Sequence, residues 1–144
     1  MNKTLPDKFV RKAVFDAINN IVVDTLTIPC FDSEVPEGLE VDHYVLMTTQ
    51  TNTVDKSNKC EYWYESSILL DIVTSYTGVG NPGSRLLADN ITDAVRSATD
   101  VLTLDVASGL VVLRQTQSFP NDVVTKTSVE NIFRKFIRIE LTIN

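Results

Sequence analysis

The stretch from Ser66 to Ala98 constrains the fold most, because the period of its apolar residues changes partway along. Ile68, Leu70, Ile72, Thr74 and Tyr76 alternate with Leu69, Asp71, Val73 and Ser75, which puts the two sets on opposite faces of an extended segment. The alternation stops at Gly78-Val79-Gly80-Asn81-Pro82-Gly83. Beyond that turn, Leu86, Leu87, Ile91, Ala94, Val95 and Ala98 fall on one side of a helix. A strand that turns into a helix lays the helix across its own sheet, so this unit predicts an α/β packing layer.

The flanking segments extend the pattern. Phe9, Val10, Ala13, Val14, Ala17, Ile18 and Ile21 form a helical stripe, with Thr4 and Asp7 as a start signal and Pro6 in the first turn. Val22 to Phe31 is β-branched but interrupted by Pro29, which suits an edge strand or an extended arm. Val35-Pro36-Glu37-Gly38 is a turn leading to a strand from Asp42 to Gln50. The polar residues Thr51 to Lys59 then read as a long projecting loop before Tyr62 opens the long strand. These two strands are expected to pair antiparallel.

After the second helix, Asp105 to Gly109 turns into a strand from Leu110 to Ser118, which Phe119-Pro120-Asn121-Asp122 breaks. The chain closes on alternation from Asn131 to Ile143. Phe133, Lys135, Ile137, Ile139, Leu141 and Ile143 lie on one face, and Ile132, Arg134, Phe136, Arg138, Glu140 and Thr142 on the other. The prediction is a single α+β domain over residues 1–144. Its antiparallel sheet of about four to five strands carries two main helices on one face, in the order α-β-β-α-β-β. Extended, the last strand spans ~43 Å at ~3.3 Å per residue, against a diameter of roughly 37 Å for a domain of this length. It must bend, bulge or overhang, and an overhanging strand offers unpaired backbone to a neighbouring copy.

The 43% hydrophobic and 22% charged content is that of a globular chain. A formal net charge of −6 opposes nucleic-acid binding, which needs cations against phosphate. No apolar run reaches membrane-spanning length, and Met1 to Lys8 lacks the apolar core of a signal peptide, so a cytosolic origin is expected. There Cys30 and Cys60 are expected to be free thiols.

Little in the sequence points to catalysis. His43 is the only histidine and lies within a predicted strand, where a structural role outweighs a base or a metal ligand. Gly78, Gly80 and Gly83 match the G-x-G-x-x-G spacing, but no parallel βαβ unit surrounds them. Asp89 and Asp93 sit four apart on a helix, as on many solvated faces. No G-x-S-x-G elbow occurs, and neither cysteine has an evident partner. The aromatic run Tyr62-Trp63-Tyr64 suits core burial or an interface, and Arg134, Lys135 and Arg138 form a small basic group. The chain is therefore expected not to be an enzyme and to need no cofactor or metal.

Taken in order, these elements resemble the tail terminator or tail-completion proteins that cap the tail tubes of tailed bacteriophages. The resemblance runs through the opening helix Phe9 to Ile21, Ile28-Pro29-Cys30-Phe31-Asp32, and the strand Asp42-His43-Tyr44-Val45-Leu46. It continues through Ile68 to Gly78, and through Ser84 to Val95 against the family's "A-x-x-L-A-x-x-I-x-x-A-L" pattern, covering nearly the whole chain. It implies a ring, commonly a hexamer, that binds the last layer of tail-tube protein and presents a surface to a head-side connector or stopper protein. The genome would pass through the lumen without specific binding, no membrane would be involved, and assembly in the host cytoplasm would end in the virion tail or neck. A neck ring protein of another subgroup, or a non-viral α+β protein-binding module, would share the pattern. The interface would draw on the long loop and the last strand, namely Asp55, Lys56, Lys59, Tyr62, Trp63, Arg134 and Arg138.

Overall fold

A computed structural model describes residues 4–56, 63–78 and 81–144. The elements are α1 (Asp7–Ile18), β1 (Ile21–Val23), β2 (Leu26–Ile28), β3 (Cys30–Asp32), β4 (His43–Asp55), β5 (Trp63–Thr77), α2 (Arg85–Ala98), β6 (Val112–Ser118), β7 (Val123–Lys126) and β8 (Glu130–Ile143). The main sheet has six strands in the order β3-β4-β5-β8-β6, with β7 also on β8. All its pairings are antiparallel except β3 with β4. The α+β class is as expected; the strands are more numerous because β1, β2, β3 and β7 are only three or four residues long. Segments that short carry too few residues to display a period.

Both helices pack on one face. Val10, Val14 and Ile18 of α1 and Ile91 and Val95 of α2 share a core with Val45, Met47, Ile68, Leu70, Ile72, Ile137, Ile139, Leu141 and Ile143 from the strands. Behind the far end of the sheet, Leu102, Leu104 and Leu110 complete it. The two faces of β5 and β8 sort as the alternation predicts. On α2, however, Leu86 points outward, 66% exposed, and Ala88 is buried in the first turns.

Helix α1 stops at Ile18, short of Ile21, because Asn20 adopts a left-handed conformation (φ 58°) that starts β1. Its N-cap is Pro6, which makes no side-chain capping bond. The stretch from Val22 to Phe31, expected as an edge strand or an extended arm, is a hairpin of β1 and β2 followed by β3, which is an edge strand of the main sheet. Asp24 and Thr25 form its turn with φ of 48° and 69°. Positive φ at both central positions marks a hairpin turn, usually announced by Asn-Gly, and neither residue here is glycine.

The long polar loop is a second correction. Residues 51–55 are strand, paired with 63–67, so β4 runs on to Asp55 and only the remainder connects it to β5. Apart from Val54, both faces there are polar, which removes the apolar alternation that would have revealed a strand. The long final strand does not overhang: β8 pairs with β5 from Tyr64↔Ile143 to Thr77↔Glu130 without interruption. Bulges occur instead in β4, between Met47 and Gln50, and in β6, between Val112 and Arg114.

At the glycine turn, Ser84 caps α2 by accepting from the Leu86 N–H at 3.1 Å. Gly83 (φ 67°) lies against Tyr76, so close that a Cβ would come within 2.3 Å of the ring. The Tyr76 hydroxyl donates to the Ser84 carbonyl at 3.1 Å. Since β5 is antiparallel to both neighbours and Tyr76 packs on Gly83, the setting of a dinucleotide fingerprint is lacking. Gly80 lies outside the described residues.

Candidate functional site

With both helices on one face, the opposite face of the sheet carries no helix among the described residues, and cross-strand register assigns its residues. The expected interface residues fall on or beside it in two places. Asp55 pairs with Trp63, which is 38% exposed, and Lys56 follows, all at the end of the β4–β5 pair. Arg138 projects from β8 opposite Leu69 and Ser118. Arg134 pairs with Val73, ten residues along β5 from Trp63, or ~33 Å at ~3.3 Å per residue. Lys59 and Tyr62 lie outside the described residues. The five described residues therefore do not form one patch.

The half of this face around Arg134 is apolar with one buried charge pair. Asp71, 1% exposed, accepts from Arg134 Nε at 3.3 and 3.2 Å through its two oxygens, and from Nη2. Arg134 also lies 5.5 Å from the Phe136 ring centre. The hydrogen bond to Asp71 raises the Arg134 pKa. Tyr44 and Leu46 flank the pair from β4, and Phe31 meets Tyr44 edge to face with centroids 6.1 Å apart. Burial, then the nearby Asp71 carboxylate, raises the Tyr44 pKa. A carboxylate engaged at both oxygens holds strands together and offers no free base. Its sequence signal was an aspartate inside Ile68-Leu69-Leu70-Asp71-Ile72-Val73, a run whose neighbours bury it.

The other half is polar and laid out in rows. Thr51, Ser67, Glu140 and Thr116 stand side by side across β4, β5, β8 and β6, and Thr53, Glu65, Thr142 and Arg114 form the next row of this face. Thr51 and Ser67 hydroxyls are 2.5 Å apart, and Thr142 donates to Glu65 Oε2 at 2.9 Å. These residues line a shallow hollow of about 290 Å³. Apart from Glu65 and Glu140, its only charge is Arg114, so it gives phosphate little purchase.

The remaining candidates are placed elsewhere. His43 packs against the Tyr76 ring at 5.5 Å. Asp89 accepts from Lys135 Nζ at 2.7 Å, and that bond raises the Lys135 pKa; Asp122 stands 3.5 Å from the same ammonium. Asp93 lines a hollow between α2 and the Phe119–Asp122 break. Cys30 is a buried free thiol, its pKa pushed up to about 12 by burial and then by Asp32; Cys60 lies outside the described residues. Among the described residues, no three His, Cys, Asp or Glu side chains group as a metal site.

No protein-family model and no curated protein matches the chain. Among solved structures, a chain from the virion of a native gene transfer agent particle has the same fold, with a TM-score of 0.55 at 12% identity. The match covers 94% of this chain and 96% of that one. At that identity the likeness is one of fold.

Proposed function

We propose that this chain is a structural virion protein of a phage-like particle, a non-catalytic subunit that forms a ring closing the tail tube and joining it to the head. The observation that carries this reading is the end-to-end fold likeness to a chain of a gene transfer agent virion, with almost nothing left over on either side. The order of elements that resembles tail terminators supports the finer role. Copies of the chain and the last layer of tail-tube protein are then its partners, with a head-side protein on the opposite surface. An acidic chain, net charge −6, keeps such a lumen from gripping passing DNA.

The test is the mass of the purified protein by light scattering, alone and with tail-tube protein, followed by negative-stain imaging. Rings of uniform size that stop tube growth are expected. A chain that stays monomeric at high concentration and never rings on tubes overturns the reading. A ring that ignores tubes but binds head-side protein favours a neck ring protein instead.

A further inference from the structure

At the end of the sheet away from the glycine turn, β4, β5, β8 and β6 form a four-stranded block whose two outer strands have no strand partner on their outer sides among the described residues. Strand β3 covers β4 only opposite Val45, Leu46 and Met47. From Gln50 to Val54, β4 has β5 as its only strand partner among the described residues, and from Arg114 to Ser118 β6 has only β8. Neither stretch contains lysine or proline; the one charge is Arg114, and the bulges of β4 and β6 lie before Gln50 and before Arg114, leaving five regular residues on each edge. Apolar side chains are exposed beside both: Val54 at 37%, Val111 at 58% and Leu113 at 50%.

The two edges match in length, direction and side-chain sorting. Each offers five residues. Strand β4 runs antiparallel to β5, β5 to β8 and β8 to β6, so β6 runs opposite to β4. On the uncovered face one edge carries Thr51 and Thr53, the other Arg114, Thr116 and Ser118. On the helix face, one carries Gln50, Asn52 and Val54, the other Gln115 and Gln117. Three of those amides are tied to helix ends: Gln50 donates to the Asp7 carbonyl at 2.9 Å, Gln117 to the Arg96 carbonyl at 3.2 Å, and Gln115 to the Thr99 carbonyl. Joined edge to edge, hydroxyls would continue rows of hydroxyls and amides rows of amides.

We propose that the β6 edge of one copy pairs antiparallel with the β4 edge of the next, making one continuous sheet through the assembly. The proposal rests on the reading that copies of this chain assemble. Because two different edges meet, the contact is head-to-tail and propagates from copy to copy, giving a ring where the rotation per copy closes and an open filament where it does not. The occupant of each edge is thus a second copy of this chain, not a foreign peptide strand.

The experiment uses full-length chains carrying Cys60→Ser and one new cysteine each: Thr51→Cys or Thr53→Cys on β4, Thr116→Cys or Ser118→Cys on β6. Directly opposed residues in an antiparallel pair have Cβ atoms ~4.5–5.5 Å apart, near enough for a disulfide after slight adjustment. Under mild oxidation, mixtures of a β4 variant with a β6 variant should give covalent dimer, while each variant alone gives only traces. Four such mixtures cover the neighbouring registers. An assembly of normal mass with no mixed cross-link, or with equal cross-linking in single-variant samples, overturns the edge pairing and leaves the ring reading standing. A chain that is monomeric with and without tail-tube protein overturns both.

Discussion

At the scale of single residues, the Asp71–Arg134 pair is where the fold is most exposed to damage. Asp71 is buried and Arg134 only partly so. Removing the arginine leaves a carboxylate without a partner in surroundings that cannot solvate it. Such one-sided breakage typically costs about 3–5 kcal/mol, while replacing both members by apolar residues is often nearly neutral. Arg134→Met should therefore lose stability toward the lower end of that range, because water reaches the guanidinium side. The double variant Asp71→Leu/Arg134→Met should recover most of the loss. Urea denaturation of the two single variants and the double variant measures the coupling. The pair was only half legible: an aspartate inside an apolar strand announces a buried partner, but nothing in the sequence says which of Arg134, Lys135 or Arg138 it is. The choice is made by strand register, which places Leu46 and Phe136 beside Asp71 and brings Arg134 in from the next position along β8.

Among the elements, the β1–β2 hairpin shows most clearly what a sequence conceals. Its turn puts Thr25, a β-branched residue, at φ 69°, a conformation costing on the order of 1–3 kcal/mol for a non-glycine residue. Asp24 of the same turn accepts from Asn90 Nδ2 of α2 at 2.8 Å, so the strained turn also anchors the hairpin to the helix. Thr25→Gly should stabilise the protein by about 1 kcal/mol, net of the greater unfolded-chain freedom of glycine. It should raise the thermal midpoint; a fall would mean that the threonine makes a compensating contact. The long elements were legible because burial on one side stamps a period on them: α1, α2, β5 and β8 were all recognisable. The polar end of β4 was not, since threonines and amides on both faces read equally well as loop. The candidate interface suffered from the same blindness. Trp63 and Arg138 were visible as residue types, whereas Thr51, Thr53, Thr116 and Ser118 acquire meaning only as strand edges.

For the whole molecule, one face is closed by helices and the other is divided into an apolar half pinned by an ion pair and a polar half of hydroxyl rows. That division suits a subunit whose neighbours meet it along the strands and whose polar rows face water. Four strands at ~4.8 Å advance a shared sheet by ~19 Å per copy, so six copies would make a wall of ~115 Å in circumference, about 37 Å across the backbone. The fourteen-row ladder between β5 and β8 has a mechanical consequence. A pull between Trp63 and Glu130, which lie at opposite ends of the ladder, loads every row at once in shear. Between Trp63 and Ile143, at the same end, the rows yield one by one. Optical-tweezer measurements with handles at those positions should find rupture at clearly higher force in the first geometry. Such a subunit is stiff along its strands and tears across them, so a wall built by edge pairing should resist a pull along its axis better than outward pressure, which loads the hydrogen bonds between strands directly.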